Sequence, residues 1–380
     1  MPHNLSVSFI LPCLNEEATL PYVLAKIGKV CQEDLSDYPT EIILSDNGST
    51  DRSREIAQSY GVRVEACPIK GYGAALKYGI SKATHQIILF ADADDTYDFS
   101  ESPFLIHEIE KGYDLVIGSR IKGKIYPNAM PFLHRYLGTP VLNHIINRLY
   151  SVGAYRISDC NSGFRCFRKH AYEQWGVESD GMEFASEMLI KAMKHRAAIS
   201  EVPVSLYPDH PERKPHLKTW RDGMRHFLQI FVEAPFFFKK WGVILFLVNF
   251  ILLLICLATR EYIYIGGMAL FGIHTMLFAL LGTLLGQSLW GIGLFISVKS
   301  REAEGVYAKV INLSEDILFW SIVGLITFSA ICFGWIILTW AMNGFVNISL
   351  QKETLFFIAI ASNGINFLTN IFTAHLLKRV

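Results

Sequence analysis

A short acidic cluster follows an apolar run in the stretch QIILFADADDTYDFSE, residues 86–101. Apolar residues lead directly into Asp92 and Asp94, and such a run is typical of a strand buried on both faces of a parallel sheet. Open α/β sheets bind their ligands just outside the carboxyl ends of the strands. Carboxylates spaced Asp-x-Asp at that edge are hard oxygen ligands that suit Mg²⁺ or Mn²⁺ carrying the phosphates of a substrate. Taken alone, the stretch fits a solvated turn equally well.

Polar residues also follow two other predicted strands. Pro12 ends the first strand and Glu16 follows it, and Asp46 ends the second. Because the carboxyl ends of parallel strands meet at one edge of a sheet, we expect these residues to lie near the acidic cluster. A nucleotide could occupy that edge.

A cation and two glycines follow the third predicted strand in the string KGYGAAL. Lys70 with Gly71 and Gly73 offers a positive charge and exposed backbone amides, which suit a phosphate or a base carbonyl. The string does not match the dinucleotide fingerprint, because Leu76 stands where the third glycine belongs and the motif should follow the first strand. A Rossmann dehydrogenase is therefore excluded.

A second polar group lies in ISDCNSGFRCFRKHAY, residues 157–172. Asp159, Ser162 and Arg165 stand close together in a segment that is otherwise able to pack. On the residues alone, arginines on a surface loop are the simpler interpretation. The string GMEFASEMLIKAMK beyond it predicts a helix that carries Glu187.

The elements that would position these residues alternate along the chain. Strands are predicted at residues 6–12, 41–46, 63–67, 87–91, 114–120 and 199–206. Helical stretches separate most of them, which favours a right-handed, mostly parallel α/β sheet.

The composition changes near residue 235. The chain has 380 residues and is 51% hydrophobic, and the long uncharged stretches lie in its last part. We predict a soluble domain at 1–208, a basic segment with interleaved aromatic residues at 209–240, and a membrane domain at 241–380. Membrane spans are predicted at 241–258, 263–297, 317–342 and 355–377. The second is interpreted as one long helix, with two crossings as the open alternative.

Charge and cysteine usage restrict partners and location. The net charge is zero, which gives no long-range field for nucleic acid, and seven cysteines without a CxxC pair fit a reducing compartment. No cleaved signal peptide is evident at the start of the sequence. Lys299, Arg301 and Lys309 lie between the second and third spans, which agrees with the positive-inside rule for a cytosolic catalytic domain. We expect a bacterial-type inner or plasma membrane.

Together these strings resemble the family 2 glycosyltransferases of the GT-A fold, in particular the polyprenyl-phosphate glycosyltransferases typified by dolichol-phosphate mannose synthase. LPCLNEE is similar to the first-strand motif of the family, SDNGSTD to V-D-D-G-S-x-D, and ADADD to the Asp-x-Asp motif. GSR at 118–120 and SDCNSGFR at 158–165 match closely. The chain departs from the pattern at Leu14, Asn47 and Thr96, where an aromatic residue, an aspartate and a glutamine are usual.

The resemblance implies a role for individual residues. Asp92 and Asp94 would bind Mg²⁺ or Mn²⁺. The residues implied in nucleotide binding are Pro12, Glu16, Asp46, Lys70 and Asp92. Those implied in holding the acceptor phosphate are Arg120, Arg135, Asp159, Ser162, Arg165, Arg213 and Lys214. Asp92, Asp94, Arg120 and Arg165 are the implied catalytic residues, and Glu187 would have a positioning role.

The activity implied is an inverting transfer of a sugar from a nucleotide-sugar, UDP-glucose first and GDP-mannose next, to a polyprenyl phosphate. The product would be a lipid-linked sugar donor for glycan assembly, and the enzyme could be an oligomer. A processive polysaccharide synthase of the same fold is an alternative, although its Q-x-x-R-W motif is not found. A transporter or flippase with a nucleotide-sensing domain is the alternative from another class, and it predicts charged residues within the spans.

Overall fold

The computed structural model describes residues 5–151, 155–211, 219–259, 263–265, 268–301, 303–344 and 351–379. The chain forms two compact units, Met1–Glu233 and Ala234–Val380, each with its own core.

A seven-stranded sheet forms the centre of the first unit. Its strands are β1 (Val7–Cys13), β2 (Thr40–Asp46), β3 (Arg63–Ala66), β4 (Ile87–Phe90), β5 (Leu115–Ser119), β6 (Arg165–Arg168) and β7 (Ile199–Pro203). The order is β3-β2-β1-β4-β6-β5-β7. Every residue of β4 and β5 is buried, as expected for strands covered on both faces.

The sheet confirms the predicted mostly parallel arrangement, with one strand that the sequence analysis did not predict. β6 is antiparallel to β4 and β5 and lies between them, so that Arg165 pairs with both Phe90 and Ile117. Segment 157–172, expected to be a polar loop, therefore contributes a strand to the middle of the sheet.

Helices follow the strands on both sides. They are α1 (Leu20–Glu33), α2 (Ser53–Ser59), α3 (Tyr72–Lys82), α4 (Ser102–Glu110), α5 (Thr139–Tyr150), α6 (Lys169–Trp175), α7 (Phe184–Lys194) and α8 (Thr219–Val232). α1 shows why they pack: its buried residues recur three and four apart, from Leu20 through Leu24 and Ile27 to Val30.

Helix α8 lies within the segment predicted at 209–240 and belongs to the first unit. The Tyr150 hydroxyl of α5 donates to the Ile230 carbonyl at 2.5 Å, and Ser186 of α7 bonds His226 at 2.7 Å. The outward side of α8 carries apolar residues such as Met224 and Leu228, 56% and 55% exposed. α8 thus packs on one side and presents a partly apolar face on the other.

The second unit contains four helices that are long and apolar enough to cross a membrane. They are α9 (Pro235–Ala258), α10 (Ile273–Lys299), α12 (Glu315–Met342) and α13 (Gln351–Arg379), with the short α11 (Val306–Ile311) between the second and third. The second span is one helix, as predicted, but it begins at Ile273. The predicted start at 263 was wrong, because a hairpin of β8 (Ile263–Ile265) and β9 (Met268–Leu270) occupies those residues.

Glycines allow α9 and α10 to approach closely. A methyl group on Gly286 would lie 2.5 Å from the Phe246 nitrogen and 2.8 Å from the Gly242 carbonyl oxygen. Such small residues are typical of helix contacts in membranes. Amide side chains of α13 add polar contacts to α10, since Asn363 donates to Thr283 at 2.9 Å and Asn370 to the Gln287 carbonyl at 3.2 Å.

Candidate active site

The carboxyl ends of β2, β1 and β4 lie side by side, as predicted, because these strands are parallel neighbours in the sheet. Asp94 follows β4 and is 7% exposed. Its Oδ1 accepts hydrogen bonds from the Thr96 amide at 3.0 Å and from the Thr96 hydroxyl at 2.6 Å. Thr96 therefore fixes the orientation of the Asp94 carboxylate.

Asp92 is half-buried and is held from two other loops. The Tyr72 hydroxyl at the start of α3 hydrogen-bonds its carboxylate. A methyl group on Gly163 would lie only 2.8 Å from Asp92 Oδ2. The loop before β6 therefore packs directly against this carboxylate.

These two carboxylates fit a divalent metal that also binds the substrate. Among the described residues, no three His, Cys, Asp or Glu side chains come together to hold a metal ion by themselves. Mg²⁺ sites in phosphate-handling enzymes commonly use one or two carboxylates and take their remaining ligands from phosphates and water. Asp92 and Asp94 supply that donor set.

The other two acids of the cluster have structural partners. Asp95 forms a 2.8 Å ion pair with Lys26 of α1. Asp98 accepts a hydrogen bond from the Ser100 amide at 3.0 Å and so caps a short 3₁₀ turn.

Asp46, expected on the nucleotide side, is fully buried and organises the turn that follows β2. Its carboxylate accepts from the amides of Gly48 at 3.1 Å and Ser49 at 3.0 Å, and from Arg54 Nε at 2.7 Å. Burial opposes the ionisation of Asp46, but the hydrogen bonds from Ser49 and Arg54 outweigh it and lower its pKa. Arg54 was not predicted; its position early in α2, eight residues after the aspartate, is the available signal.

Glu16 and Pro12 lie beside this turn. Glu16 is 6% exposed, and its amide donates to the Ser53 hydroxyl at 2.9 Å. Thr19 connects Glu16 to the acidic loop, because its hydroxyl lies 3.3 Å from Glu16 Oε2 and donates to the Ala93 carbonyl at 2.8 Å. Pro12 is half-buried within β1.

The amides near Lys70 were expected to be exposed, but they are hydrogen-bonded within the fold. The Gly71 amide donates to Asn47 Oδ1 at 2.8 Å, and those of Gly73 and Ala74 donate to the carbonyls of Gly181 and Asp180. Lys70 Nζ donates to the Asn47 carbonyl at 2.9 Å, although the residue as a whole is exposed. The amide contacts are satisfied within the fold, which leaves the Lys70 charge as the feature available to a ligand.

Asn47 makes two contacts that together require an amide side chain. While its Oδ1 accepts from Gly71, its Nδ2 donates to the Ile69 carbonyl at 2.8 Å. An ionised carboxylate could not make the second bond.

Arg120 follows β5 and is held by Asp159 in a two-pronged pair. Its Nε lies 2.8 Å from Asp159 Oδ2, its Nη2 lies 2.7 Å from Oδ1, and its amide donates to Oδ2 at 2.9 Å. Burial works against the charge of Arg120, yet Tyr97 and Asp159 outweigh it and raise its pKa. Arg120 is therefore a permanent, oriented cation.

Arg165 and Ser162 were expected to hold a phosphate, but both side chains are buried. Arg165 is 0% exposed, and its guanidinium donates to the carbonyls of Ser162 at 3.0 Å, Ala185 at 2.6 Å and Cys160 at 2.7 Å. The Ser162 hydroxyl donates to the Gly118 carbonyl at 2.5 Å. Both residues thus shape the 160–163 loop from inside, which corrects the expectation that they contact a phosphate directly.

The remaining expected phosphate ligands lie elsewhere. Arg135 is exposed on a π-helical turn (His134–Gly138) just before α5, with its guanidinium carbon 5.5 Å from the Tyr136 ring centre. Arg213 and Lys214 lie outside the described residues.

Glu187 holds the loop that packs against α3. It is 2% exposed and accepts from the amides of Glu178 at 3.0 Å and Ser179 at 2.7 Å, and it pairs with Lys191 at 2.9 Å. Its carboxylate therefore anchors the segment whose carbonyls bond the start of α3.

Tyr97 joins the two halves of the site and was not predicted. Its hydroxyl accepts from the Gly163 amide at 2.9 Å, and its ring packs on Phe164 with centroids 5.6 Å apart. The charges of Arg120 and Asp92 both act on it, and burial raises its pKa. Tyr97 thus contacts the loop that packs on Asp92 and is near enough to Arg120 to be affected by its charge.

Comparisons with known proteins agree with this geometry. Residues 8–176 match glycosyl transferase family 2. The low-salt glycan biosynthesis hexosyltransferase Agl6 of Haloferax volcanii is 34% identical over 350 residues, which cover 90% of this chain and 81% of that protein. A dolichyl-phosphate hexose transferase of the same organism is 31% identical over 201 residues, covering 52% of this chain and 81% of that protein.

Among solved structures, glucosyl-3-phosphoglycerate synthase from Mycobacterium tuberculosis, in complex with Mn²⁺, uridine diphosphate and glucosyl-3-phosphoglycerate, is similar over 60% of this chain and 80% of that one. The TM-score is 0.49 and the sequence identity is 20%.

The family match covers the strands that carry Asp92, Asp94 and Arg120, and the similarity to the Haloferax hexosyltransferase extends over most of the chain. The sheet has the mostly parallel arrangement of the GT-A fold, with β6 as its antiparallel strand. The chain therefore belongs to glycosyl transferase family 2.

Proposed function

We propose that the protein transfers a hexose from a nucleotide-sugar to a polyprenyl phosphate at the membrane surface, with inversion at the anomeric carbon. The observation that carries this proposal is that two sites, each suited to a phosphate group, are present at one edge of the sheet. Asp92 and Asp94 form the first, Arg120 held by Asp159 forms the second, and Tyr97 with Gly163 is near both of them.

The first site suits the diphosphate of the sugar donor. When bound, Mg²⁺ or Mn²⁺ would act there as a Lewis acid that stabilises the negative charge of the leaving diphosphate. Asp92, held by Tyr72, and Asp94, held by Thr96, are the residues that would bind it. In this proposal Pro12, Glu16, Asp46 and Lys70 form the nucleotide side, with Asp46 shaping the turn.

The second site suits a phosphate monoester as the acceptor. Its second pKa is about 6, so the group is largely a dianion at neutral pH and attacks without a general base. What it requires is a cation that brings it close to a second anionic group, and the charge of Arg120 is fixed by Asp159. Attack opposite the leaving diphosphate inverts the anomeric centre.

The apolar helices support a lipid as the carrier of that phosphate. Four helices can cross a membrane, and one relative is described as a dolichyl-phosphate hexose transferase. We propose that the site faces the cytosol, with α8 at the lipid surface. UDP-glucose is the first candidate donor and GDP-mannose the second.

The test is a transfer assay with the purified full-length chain. It combines UDP-glucose or GDP-mannose, Mg²⁺ or Mn²⁺, and a short polyprenyl phosphate, and it detects the glycolipid by mass spectrometry. We expect a glycolipid with at least one of the two nucleotide-sugars, and we expect Asp94→Asn to lower the rate by about a hundredfold or more, because a charged ligand of the metal is lost.

Asp95→Asn is the matched control, since it alters the neighbouring acid, which pairs with Lys26. It should retain near wild-type activity. Absence of a glycolipid with both nucleotide-sugars, or full activity in Asp94→Asn, would contradict the proposal.

A further inference from the structure

A buried carboxylate on β7 lies behind the Arg120–Asp159 pair. Glu201 pairs with Ile117 in the register of β5 and β7, and its side chain is 0% exposed. Isolated charges are costly to bury, so such a group must be compensated by its contacts.

Besides a hydrogen bond to Tyr155, the side-chain contacts of Glu201 go to the two segments that form the arginine site. Oε1 accepts from the amide of Ser158 at 2.9 Å and from the amide of Asp159 at 3.1 Å. The Ser158 hydroxyl lies 3.0 Å from both carboxylate oxygens. Lys122, two residues after Arg120, places its Nζ 2.9 Å from Oε2.

These contacts fix both ends of the pair that orients Arg120. Two consecutive amides on one oxygen set the direction of the backbone at Asp159, and this determines where its carboxylate points. On the other side, Ser119 bonds the Ser158 hydroxyl at 2.8 Å and accepts from the Lys122 amide at 3.2 Å. Glu201 thus ties the end of β5 to the 158–159 loop.

We infer that Glu201 is a positioning residue for the phosphate acceptor, acting through Asp159 on the direction of the Arg120 guanidinium. This inference rests on the proposed function, in which Arg120 receives the acceptor phosphate. Glu201 touches no substrate: it sets the angle at which the arginine presents its free edge. Loss of Glu201 should therefore weaken the binding of the acceptor and leave the nucleotide side unchanged.

The experiment measures binding and turnover separately on the full-length protein in detergent. Calorimetric binding of citronellyl phosphate, a short isoprenoid phosphate, reports on the acceptor site, and binding of UDP with Mn²⁺ reports on the donor site. In Glu201→Ala we expect acceptor affinity to fall about ten- to a hundredfold, the scale of a lost charged hydrogen bond, with UDP affinity unchanged. In turnover, the KM for the acceptor should rise more than kcat falls.

Three further variants distinguish positioning from general support of the fold. Glu201→Gln keeps an acceptor oxygen for the two amides and should restore most of the affinity. Glu108→Ala removes a carboxylate that contacts the same strand through Ser200 at 3.0 Å, and it should leave acceptor binding unchanged. A double variant with Arg120→Lys, which lacks the two-pronged pair, should bind the acceptor no more weakly than Arg120→Lys alone.

The outcomes separate this inference from the proposed function. The inference alone is overturned if the wild type binds citronellyl phosphate and Glu201→Ala binds it equally well. It is also overturned if Glu201→Ala loses UDP binding and acceptor binding to the same extent. Failure of the wild type to bind the isoprenoid phosphate overturns the proposed acceptor and the inference with it.

Discussion

Gly163 is the residue at which the two halves of the site touch. Its amide bonds Tyr97, while a methyl group on its α-carbon would lie 2.8 Å from Asp92 Oδ2, so that a side chain here would have to displace the carboxylate. The density of polar groups in residues 157–172 drew attention to this segment in the sequence, and its Asp159 does hold Arg120 at the edge of the sheet. The buried position of Arg165 could not be predicted, because an arginine that bonds three backbone carbonyls is indistinguishable in sequence from one on a surface.

Gly163→Ala should lower the rate of sugar transfer by about tenfold or more. The added methyl group would lie 2.8 Å from Asp92 Oδ2 and would displace the carboxylate. The initial rate at saturating substrates is the measurement. Gly28→Ala is the control: it also adds a methyl group, with nothing within 4 Å, and should leave the rate unchanged. Equal rates for the two variants would show that the contact with Asp92 has no catalytic consequence.

At the scale of elements, the strands of unbroken apolar residues were predictable, and the strand that begins and ends with an arginine was not. RCFR in β6 has four residues, two of them arginines, and only its partners β4 and β5 make it a strand. Helix α7 is a second case in which distant contacts decide the role of a residue. Its Glu187 reaches the 178–179 backbone and so supports the loop against α3.

Glu187→Gln should loosen the 178–181 loop in a pH-dependent way. Burial opposes the ionisation of Glu187, but hydrogen bonds from Ser179 and Lys191 outweigh it and lower the pKa. A lowered folded-state pKa means that the stabilisation is complete above the unfolded value of about 4.3 and is lost as the pH falls through the folded value. Hydrogen–deuterium exchange of the loop should therefore be faster in the variant at pH 7, by about tenfold, and should converge with the wild type in acid.

The exposed pair of Glu173 with Lys169 provides the control for that experiment. Its atoms are 4.0 Å apart and Glu173 is 62% exposed, so Glu173→Gln should not alter exchange at any pH. A difference between Glu187→Gln and the wild type that persists unchanged into acid would contradict the assigned role of the charge.

At the scale of the molecule, hydropathy alone identified four spans and the change of composition near residue 235. It could not place the hairpin of β8 and β9, because apolar residues between two spans resemble the start of a helix. The contacts within the second unit also escaped prediction, since they depend on which glycine faces which helix. Gly286 lies against the backbone of α9, whereas Gly324 in α12 has nothing within 4 Å.

Gly286→Leu should separate α9 from α10 and lower the melting temperature of the protein in detergent by several degrees, as expected for about 1–3 kcal/mol of overpacking. Gly324→Leu adds the same side chain where the structure has open space, and should change the melting temperature little. Fluorescence-monitored thermal unfolding checks both. Similar shifts in the two variants would argue against close packing at Gly286.

The central position of β6 also governs the order in which the first unit can fold. β4 and β5 do not pair with each other, and the strand that joins them is synthesised after both. Until Arg165–Arg168 leaves the ribosome, each of the two strands has an unpaired edge towards the gap, and the carboxylates and the arginine belong to separate halves of the sheet. Closing this gap requires contacts between residues far apart in the chain, which makes it a slow step and leaves apolar edges open to association. The nascent domain therefore completes its catalytic edge, and covers the facing edges of β4 and β5, only after β6 has been synthesised.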